Sequence, residues 1–365
     1  MHNGKIGVGI IGVQVGRSFA ATAHIPALKA LPEFEIVAIS TNHLERAQAA
    51  ALTYGIPHAF DNPAALVAHP QVDLVVVTVK VPHHLQLVTA AIEAGKAVFC
   101  EWPLGNGLEE AERMTGLAAR KGIHTAVGLQ ARAAPVMNYV RDLVAQGYVG
   151  EVLSTTVLGT GMVWGPTIDA PNAYIADRRN GATMLTIPLG HTLDAVCYAL
   201  GEVREVVAEV VSRRSSTQTV ETGAILPMTS EDQVVIGGRL ESGAVLAVHY
   251  RGGMPHGTGL LWEINGTEGD LQVTAIGGHA QLVDLSLTGA TKRDESLQPL
   301  EIPSKYRWAP ALGQPALNVA QAYVRLAADL REGTQSCPGF REAVIRHRMI
   351  AAIETAARSG MRTTL

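Results

Sequence analysis

The first 130 residues alternate short apolar strand patterns with helical patterns. KIGVGIIG (5–12) is a β-branched run that ends in glycine, and PEFEIVAIS (32–40) follows a helical stretch. VDLVVVTV (72–79), AVFCEW (97–102) and HTAVGLQ (124–130) are further apolar runs with helical segments between them. Strands that do not alternate apolar and polar residues are buried on both faces. The sequence therefore predicts an α/β fold that begins with a Rossmann-type, doubly wound parallel sheet.

The pattern changes after about residue 150, where strand-like segments follow one another with few helices between them. DQVVIGGRLESGAVLAVHYRGG (232–253) and LWEINGTEGDLQVTA (261–275) each contain a glycine-bearing turn, which predicts hairpins. We expect an α+β domain on an open, mainly antiparallel sheet, with one early helix at 192–201. The predicted domains are 1–130 and 131–365, with the final two helices packing back towards the first domain.

Charge and cysteine usage exclude several classes of protein. Lys and Arg number 29 against 33 Asp and Glu, and no basic stripe recurs, so nucleic-acid binding is disfavoured. Three widely spaced cysteines fit neither a disulfide framework nor a CxxC metal site, which indicates a reducing compartment. We expect no secretory signal and no membrane span, which needs about 18 apolar residues in a row. A cytoplasmic protein is the expectation.

The turn after the first strand predicts a dinucleotide site. Gly12 and Gly16 follow the strand, and Gln14 stands where the GxGxxG fingerprint has its middle glycine, with Val15 beside it. Such glycines let a pyrophosphate approach the N-terminus of the next helix. An ordinary glycine-rich turn is the alternative, but the position between a strand and a helix favours the nucleotide.

The end of the second predicted strand suggests which dinucleotide is bound. Ser40, Thr41 and Asn42 stand where NAD-binding proteins usually offer a carboxylate to the ribose, and Arg46 follows one turn later. Hydroxyl groups and a cation suit a 2′-phosphate, so we expect NADP, with NAD remaining possible. Arg46 is equally compatible with a solvated helix position.

Several segments together resemble the glucose-fructose oxidoreductase and inositol dehydrogenase (Gfo/Idh/MocA) family over nearly the whole chain. They are VGIIG, HIPALKALPEFEIVAIS, HHLQLVTAAIEAGKAVFCEWPL, QGYVGEV, GHTLD and INGTEGDL. The resemblance implies a Rossmann domain and a C-terminal domain whose open sheet forms one wall of the substrate site. It also implies a homodimer or homotetramer.

The FCEWPLG stretch departs from the family at one position. Family enzymes typically have Glu-Lys-Pro where this chain has Glu101, Trp102 and Pro103, and that lysine helps to move the substrate proton. An indole offers an N–H donor and a flat surface but no acid–base chemistry. We expect Glu101 and Trp102 to shape the nicotinamide side of the site, with Trp102 also contacting substrate.

A narrower resemblance accounts for the tryptophan. The EW pair, the long spacing from Gly12 to His24, the LQxR pattern at Leu129 to Arg132, QGYVG and GHTLD are similar to the fungal galactose-pathway transcriptional inhibitors, which form a branch of this family. Members of that branch bind a dinucleotide and a partner protein without turnover. The resemblance therefore keeps a regulatory function open.

Three residues are candidates for proton transfer. His191 and Asp194 lie three apart in PLGHTLDAV, on one face of a predicted helix, and the resemblance implies that the histidine faces the substrate. Family enzymes often have an aspartate a few residues earlier, where Thr186 is the nearby polar residue here. Lys80 follows the VDLVVVTV strand, so we expect it to replace the missing lysine. The alternatives are a helix-bracing histidine, and a phosphate contact or solvated loop position for the lysine.

Four further residues are predicted to line a polyol pocket: Arg132 by resemblance, and Tyr174, Asp177 and Arg178 from NAYIADRRNG. Surface loops have the same composition, so this assignment has an equally simple alternative. His83 and His84 are adjacent and cannot point the same way, and no set of residues has convincing metal spacing, so we expect no metal.

The sequence thus favours an NAD(P)-dependent oxidoreductase that transfers hydride to or from a sugar, a polyol or a related carbonyl compound. The alternative is a non-catalytic dinucleotide- and sugar-sensing regulator that acts through a protein partner.

Overall fold

In a computed structural model, which describes residues 4–365, the chain divides into two compact units. The first unit comprises the residues up to Gln130 together with Arg307–Ile345. The second comprises Ala131–Tyr306 and Arg346–Leu365. The chain therefore leaves the first unit at residue 130 and returns to it for a segment near its end.

The first unit is built on a six-stranded parallel sheet. Its order is β3-β2-β1-β4-β5-β6, and every neighbouring pair is parallel. The strands are β1 (Ile6–Ile11), β2 (Phe34–Ser40), β3 (His58–Phe60), β4 (Leu74–Val77), β5 (Ala97–Glu101) and β6 (Thr125–Gly128). β1 and β4 are buried along their whole length, as the non-alternating pattern predicts. The predicted Rossmann-type sheet is confirmed, and β3 is an edge strand that the sequence pattern did not reveal.

Helices connect these strands. They are α1 (Ile25–Ala30), α2 (Leu44–Tyr54), α3 (Pro63–Ala68), α4 (His84–Glu93) and α5 (Leu108–Lys121). A π-helical turn, Ala20–His24, runs directly into α1. Gly55 and Gly122 end α2 and α5 in the left-handed conformation, which glycine adopts without steric cost.

The second unit carries a nine-stranded sheet in the order β17-β16-β15-β14-β7-β13-β12-β9-β18. All its neighbouring pairs are antiparallel except β13 and β7, so the predicted mainly antiparallel sheet is confirmed. The strands are β7 (Val152–Thr160), β9 (Val203–Val211), β12 (Gln233–Leu240), β13 (Val245–Arg251), β14 (Leu260–Gly266), β15 (Gly269–Ala275), β16 (Ser286–Thr291), β17 (Gln298–Pro299) and β18 (Thr363–Thr364).

A small second sheet in this unit was not predicted. Its order is β11-β10-β8, with bounds β8 (Thr167–Ile168), β10 (Ser216–Thr219) and β11 (Ile225–Pro227). These strands have two to four residues, too few to show a hydrophobic period.

The remaining helices are α6 (Pro135–Ala145), α7 (Gly190–Leu200), α8 (Ala316–Glu332) and α9 (Phe340–Ser359). α6 and α7 belong to the second unit and α8 to the first, whereas α9 contributes residues to both. No helix within residues 4–365 has the length and apolar character needed to cross a membrane. Cys100, Cys197 and Cys337 are buried free thiols.

Candidate functional site

The loop after β1 has the shape that a pyrophosphate site requires. Gly12 has a φ of +105°, and a Cβ there would lie 2.8 Å from Val79 Cγ1, so the close approach of the two strand ends needs glycine. Gly16 has a φ of +70° with open space where a side chain would be. Gln14 and Val15 are exposed on the same loop. These residues fit a dinucleotide phosphate bound against exposed backbone.

The residues at the end of β2 and just after it differ in their exposure to solvent. Ser40 is the last residue of the strand, and its hydroxyl is buried without a hydrogen-bond partner. The hydroxyl is therefore covered by protein, and the ribose contact that the sequence suggested for Ser40 remains a prediction. Thr41 is half-buried and donates to the carbonyl of His43, whereas Asn42 and Arg46 are exposed. Asn42 and Arg46 remain the accessible candidates for the adenosine half.

Lys80 and Trp102 follow the carboxyl ends of β4 and β5, the edge at which α/β sheets bind ligands. Lys80 is exposed, three residues beyond β4. Trp102 is only 4% exposed. Most of the indole surface is therefore covered by protein, and its contacts with the nicotinamide and the substrate remain predictions.

Glu101, the last residue of β5, is held by groups that sequence reasoning did not bring together. Gln130 Nε2 donates to both carboxylate oxygens (2.8 and 2.9 Å), and His24 Nε2 lies 2.9 Å from Oε1. His24 Nδ1 lies 2.7 Å from the Tyr323 hydroxyl. The sequence showed the long spacing before His24. It did not show that His24 contacts Glu101 and Tyr323, which lie 77 and 299 residues away along the chain.

In the second unit, His191 has the environment of a functional histidine. It lies in the first turn of α7, is 3% exposed, and its Nδ1 is buried with no hydrogen-bond partner in the described part of the chain. Burial, and to a smaller extent His279, lower the pKa of His191 to about 3. The imidazole is therefore neutral at physiological pH, with a nitrogen available to a ligand or proton.

His279 joins the segment after β15 to a strained turn. Its Nε2–H donates to the carbonyl of Gly161 (2.7 Å), and burial lowers its pKa to about 4. Its ring stacks on Trp164 at 6.2 Å between centroids. Met162 and Trp164 in that turn have φ values of 60° and 59°, a conformation that costs energy outside glycine and often accompanies functional sites. No motif in the sequence pointed to His279.

Asp194 and Arg132 are bound to each other. Arg132 Nε donates to Asp194 Oδ2 (2.7 Å), and a second guanidinium N–H bonds Oδ1. Arg346 approaches the same carboxylate at 3.6 Å and also pairs with Glu202. Asp194 is fully buried and Arg346 is 1% exposed. This network favours a structural role for Asp194 and occupies the guanidinium predicted to line the pocket.

The other predicted pocket residues lie on helical turns between β8 and α7. Tyr174 is half-buried, and burial raises its pKa. Asp177 is paired with Arg179, which lowers the pKa of its carboxyl to about 2. Arg178 lies 3.9 Å from Glu354. Asp177 and Arg178 each have a protein partner of opposite charge, so their part in substrate binding remains a prediction.

His83 and His84 have different surroundings, as their adjacency predicts. His83 is exposed, while His84 is buried between the carbonyl oxygens of Val79 and Pro103, each 2.9 Å from a ring nitrogen. His84 therefore joins the ends of β4 and β5. Within residues 4–365, no group of three or more His, Cys, Asp or Glu side chains could hold a metal ion.

Comparison with known families agrees with this division of the chain. Residues 6–129 match the model of the oxidoreductase family with an NAD-binding Rossmann fold (GFO_IDH_MocA). Residues 135–275 match the model of the Gal80p C-terminal domain. The first part of the chain thus matches the Gfo/Idh/MocA oxidoreductase family, and the second part matches a Gal80p C-terminal domain. The first unit is accordingly a Rossmann domain of the nicotinamide-dinucleotide-binding type.

Three proteins similar to this chain include both dehydrogenases and a regulatory protein. Dehydrogenase aclE of Aspergillus oryzae is 29% identical, over 99% of this chain and 98% of its own. The galactose/lactose metabolism regulatory protein GAL80 of Saccharomyces cerevisiae is 27% identical, over 77% of this chain and 69% of its own. A crystal structure of its super-repressor mutant has a TM-score of 0.88 at 23% identity, covering 99% and 98% of the two chains. Levoglucosan dehydrogenase, in complex with NADH and levoglucosan, has a TM-score of 0.84 at 21% identity, covering 99% of each chain.

Proposed function

We propose that this protein is an NAD(P)-dependent oxidoreductase that transfers hydride to or from a carbinol or carbonyl carbon of a sugar, a polyol or a related compound. The match to the oxidoreductase family and the full-length similarity to a dehydrogenase support this reading. So does the similarity of fold to a sugar dehydrogenase.

The observation that carries the proposal is the buried Nδ1 of His191 without a partner. An unsatisfied polar atom in a protein interior costs about 1–3 kcal/mol and needs an explanation, and a ligand or reaction that uses this nitrogen would supply one. A neutral imidazole can accept a hydrogen bond from a substrate hydroxyl; to take its proton during oxidation, the ring would need a pKa raised well above the value of about 3 by the bound substrate and dinucleotide. In the reverse direction it would return that proton to the oxygen.

The first unit would bind and orient the dinucleotide through the Gly12 loop and the strand ends. A bound nicotinamide dinucleotide supplies the hydride donor or acceptor. Asn42 and Arg46 would contact the adenosine half, and the exposed Arg46 suits the 2′-phosphate of NADP, with NAD as the other choice. Lys80, exposed at the same sheet edge, is the candidate for the charge lost with the family lysine.

A regulatory protein is the second candidate, and two observations favour it. Trp102 replaces the lysine of the enzymes, and GAL80, a regulatory protein, matches most of the chain. In that case the second unit would bind a protein partner when dinucleotide and sugar are present. For either function we propose a cytoplasmic homodimer or homotetramer, and the three free thiols suit a reducing compartment.

Turnover separates the two functions. Purified protein would be mixed with NAD or NADP and a panel of sugars and polyols, and with NADH or NADPH and the corresponding keto forms, and nicotinamide absorbance would be followed. We expect reduction of the nucleotide by at least one alcohol or its oxidation by at least one carbonyl compound. Nucleotide binding without turnover across the panel would contradict the enzyme and favour the regulator.

A further inference from the structure

Four side chains of the first unit form a hydrogen-bonded chain at the carboxyl edge of its sheet. They are Tyr323, His24, Glu101 and Gln130, and we refer to them as the His24 cluster. The contacts run from the Tyr323 hydroxyl to His24 Nδ1, from His24 Nε2 to Glu101 Oε1, and from Gln130 Nε2 to both Glu101 oxygens. All four residues belong to the first unit, so the cluster is complete within one compact body.

The hydrogen bonds of the cluster have a defined direction. A carboxylate only accepts, so His24 Nε2 carries the hydrogen in its contact with Glu101. Burial, and then Glu101, raise the pKa of Tyr323 well above its ordinary value, so its phenol keeps its proton and donates it to His24 Nδ1. With this tautomer, assigned from the network, each polar contact of the cluster has one donor and one acceptor.

The surrounding sequence makes room for this arrangement. A Cβ at Gly128, in β6, would lie 2.6 Å from Glu101 Oε1 and 2.7 Å from Gln130 Nε2, closer than side chains approach. The His24 ring packs edge-on against Phe99 at 5.5 Å. The π-helical turn that ends at His24 carries the imidazole to the end of β5. Three chain segments therefore converge on one carboxylate.

Glu101 retains capacity for one more hydrogen bond. A carboxylate has about four acceptor positions, and the contacts with Gln130 and His24 use three. The Glu101 side chain is 14% exposed, while that of His24 is fully buried. The remaining acceptor thus opens at the sheet edge where dinucleotides bind.

We propose that His24, supported by Tyr323, is a positioning residue for the nicotinamide half of the dinucleotide site, because it fixes Glu101 as an acceptor for that half. This inference rests on the dinucleotide binding of the proposed function and requires no turnover. Under this proposal, the FCEWPLG segment binds the nicotinamide half through the Glu101 carboxylate, while the indole of Trp102 beside it is covered by protein.

The test compares two nucleotides that share the adenosine half. NADH and ADP would be titrated into the full-length protein, wild type and variants, and each dissociation constant measured by calorimetry. His24→Leu should weaken NADH binding about tenfold, the loss expected for a hydrogen bond to a charged group, and Tyr323→Phe about fivefold, the loss expected for a neutral one. Both variants should change ADP binding less than twofold. His24→Gln should retain most NADH affinity, because its amide N–H reproduces the donor to Glu101.

Tyr306→Phe is the matched control, since it removes a buried hydroxyl of the second unit and should leave both affinities unchanged. Equal weakening of NADH and ADP would overturn the inference, because the cluster would then only support the unit as a whole. Unchanged NADH affinity in Tyr323→Phe, or wild-type binding of ADP without NADH, would overturn it as well. If His24→Leu does not fold, Tyr323→Phe decides, since it removes one oxygen atom. Absence of turnover would contradict the enzyme proposal and leave this result standing.

Discussion

His191 and His279 are buried histidines of the second unit, and burial lowers the pKa of both. Burial is the main cause that lowers the pKa of each, to about 3 for His191 and about 4 for His279. In the unfolded chain both would titrate near pH 6.5. Each therefore binds a proton in the unfolded state over a range of pH in which the folded state does not.

This difference predicts how stability depends on pH. As pH falls from 6.5 towards 4, the unfolded chain gains protons that the folded chain excludes, so the free energy of unfolding decreases by about 1.4 kcal/mol per pH unit for each histidine. His279→Gln should make this dependence less steep, measured by urea denaturation between pH 7 and 4.5. The exposed His249→Gln should leave it as in the wild type. An unchanged slope in His279→Gln would contradict the burial argument.

Asp194 is the residue for which the structure most changes the interpretation of the sequence. The GHTLD spacing predicted a partner of His191 in catalysis, but the carboxylate is bonded by Arg132 and approached by Arg346. A buried charge of this kind matters chiefly because its removal leaves the opposite charges unpaired.

Asp194→Asn should therefore lower the free energy of unfolding by about 3 kcal/mol, because Arg132 and Arg346 lose a shared counter-charge. Urea denaturation at pH 7 measures this. Asp177→Asn removes the half-buried partner of the exposed Arg179 and should change stability little. A stable Asp194→Asn protein that has lost turnover would instead support the catalytic role that the sequence suggested.

At the scale of elements, the loop between β1 and the Ala20–His24 turn depends on two glycines in different ways. Both have positive φ, but only Gly12 has neighbours where a Cβ would be, namely Val79 Cγ1 and, at 3.2 Å, the backbone of Thr78. At Gly16 the space is open. Gly12 is therefore required both for close packing and for its positive φ, whereas Gly16 is required only for its positive φ.

Gly12→Ala should therefore destabilise the protein more than Gly16→Ala. For Gly16→Ala we expect about 1 kcal/mol, the cost of a left-handed residue with a side chain, and for Gly12→Ala at least about twice that. Urea denaturation gives the stabilities. NADH titration should show that Gly12→Ala also weakens binding, because the turn shifts. Equal losses of stability would contradict the packing argument.

The sequence predicted the elements that have a long or regular apolar pattern and missed those that do not. β1, β4 and the antiparallel pair β12 and β13 were evident from apolar runs and from the ESGA turn. β3, with three residues, gave no periodic signal. The same limit applies to the site, since Gly12 and His191 lie in motifs, whereas Tyr323 and His279 reach their partners through contacts distant in sequence.

At the scale of the whole molecule, the chain combines a Rossmann domain of an oxidoreductase family with a C-terminal domain like that of a regulator. The feature that favours an enzyme is the buried His191 Nδ1 without a partner, whereas the Gly12 loop suits a dinucleotide in either kind of protein. Trp102 is the feature that resembles the regulators. The neighbouring Glu101 nevertheless keeps its hydrogen bonds with Gln130. In the proposed enzyme, proton transfer would fall to a residue other than the missing lysine, and we assign it to His191.

The most direct measurement is the turnover number of wild type and His191→Gln with the best substrate of the panel, at saturating nucleotide. We predict nicotinamide-dependent turnover in the wild type and a decrease of about 10²–10³-fold in His191→Gln, typical of the loss of a general base. NADH affinity should be unchanged, and the exposed His249→Gln should retain full activity. A His191→Gln protein that turns over at the wild-type rate, or a wild type that binds NADH and reduces or oxidises nothing, would contradict the account.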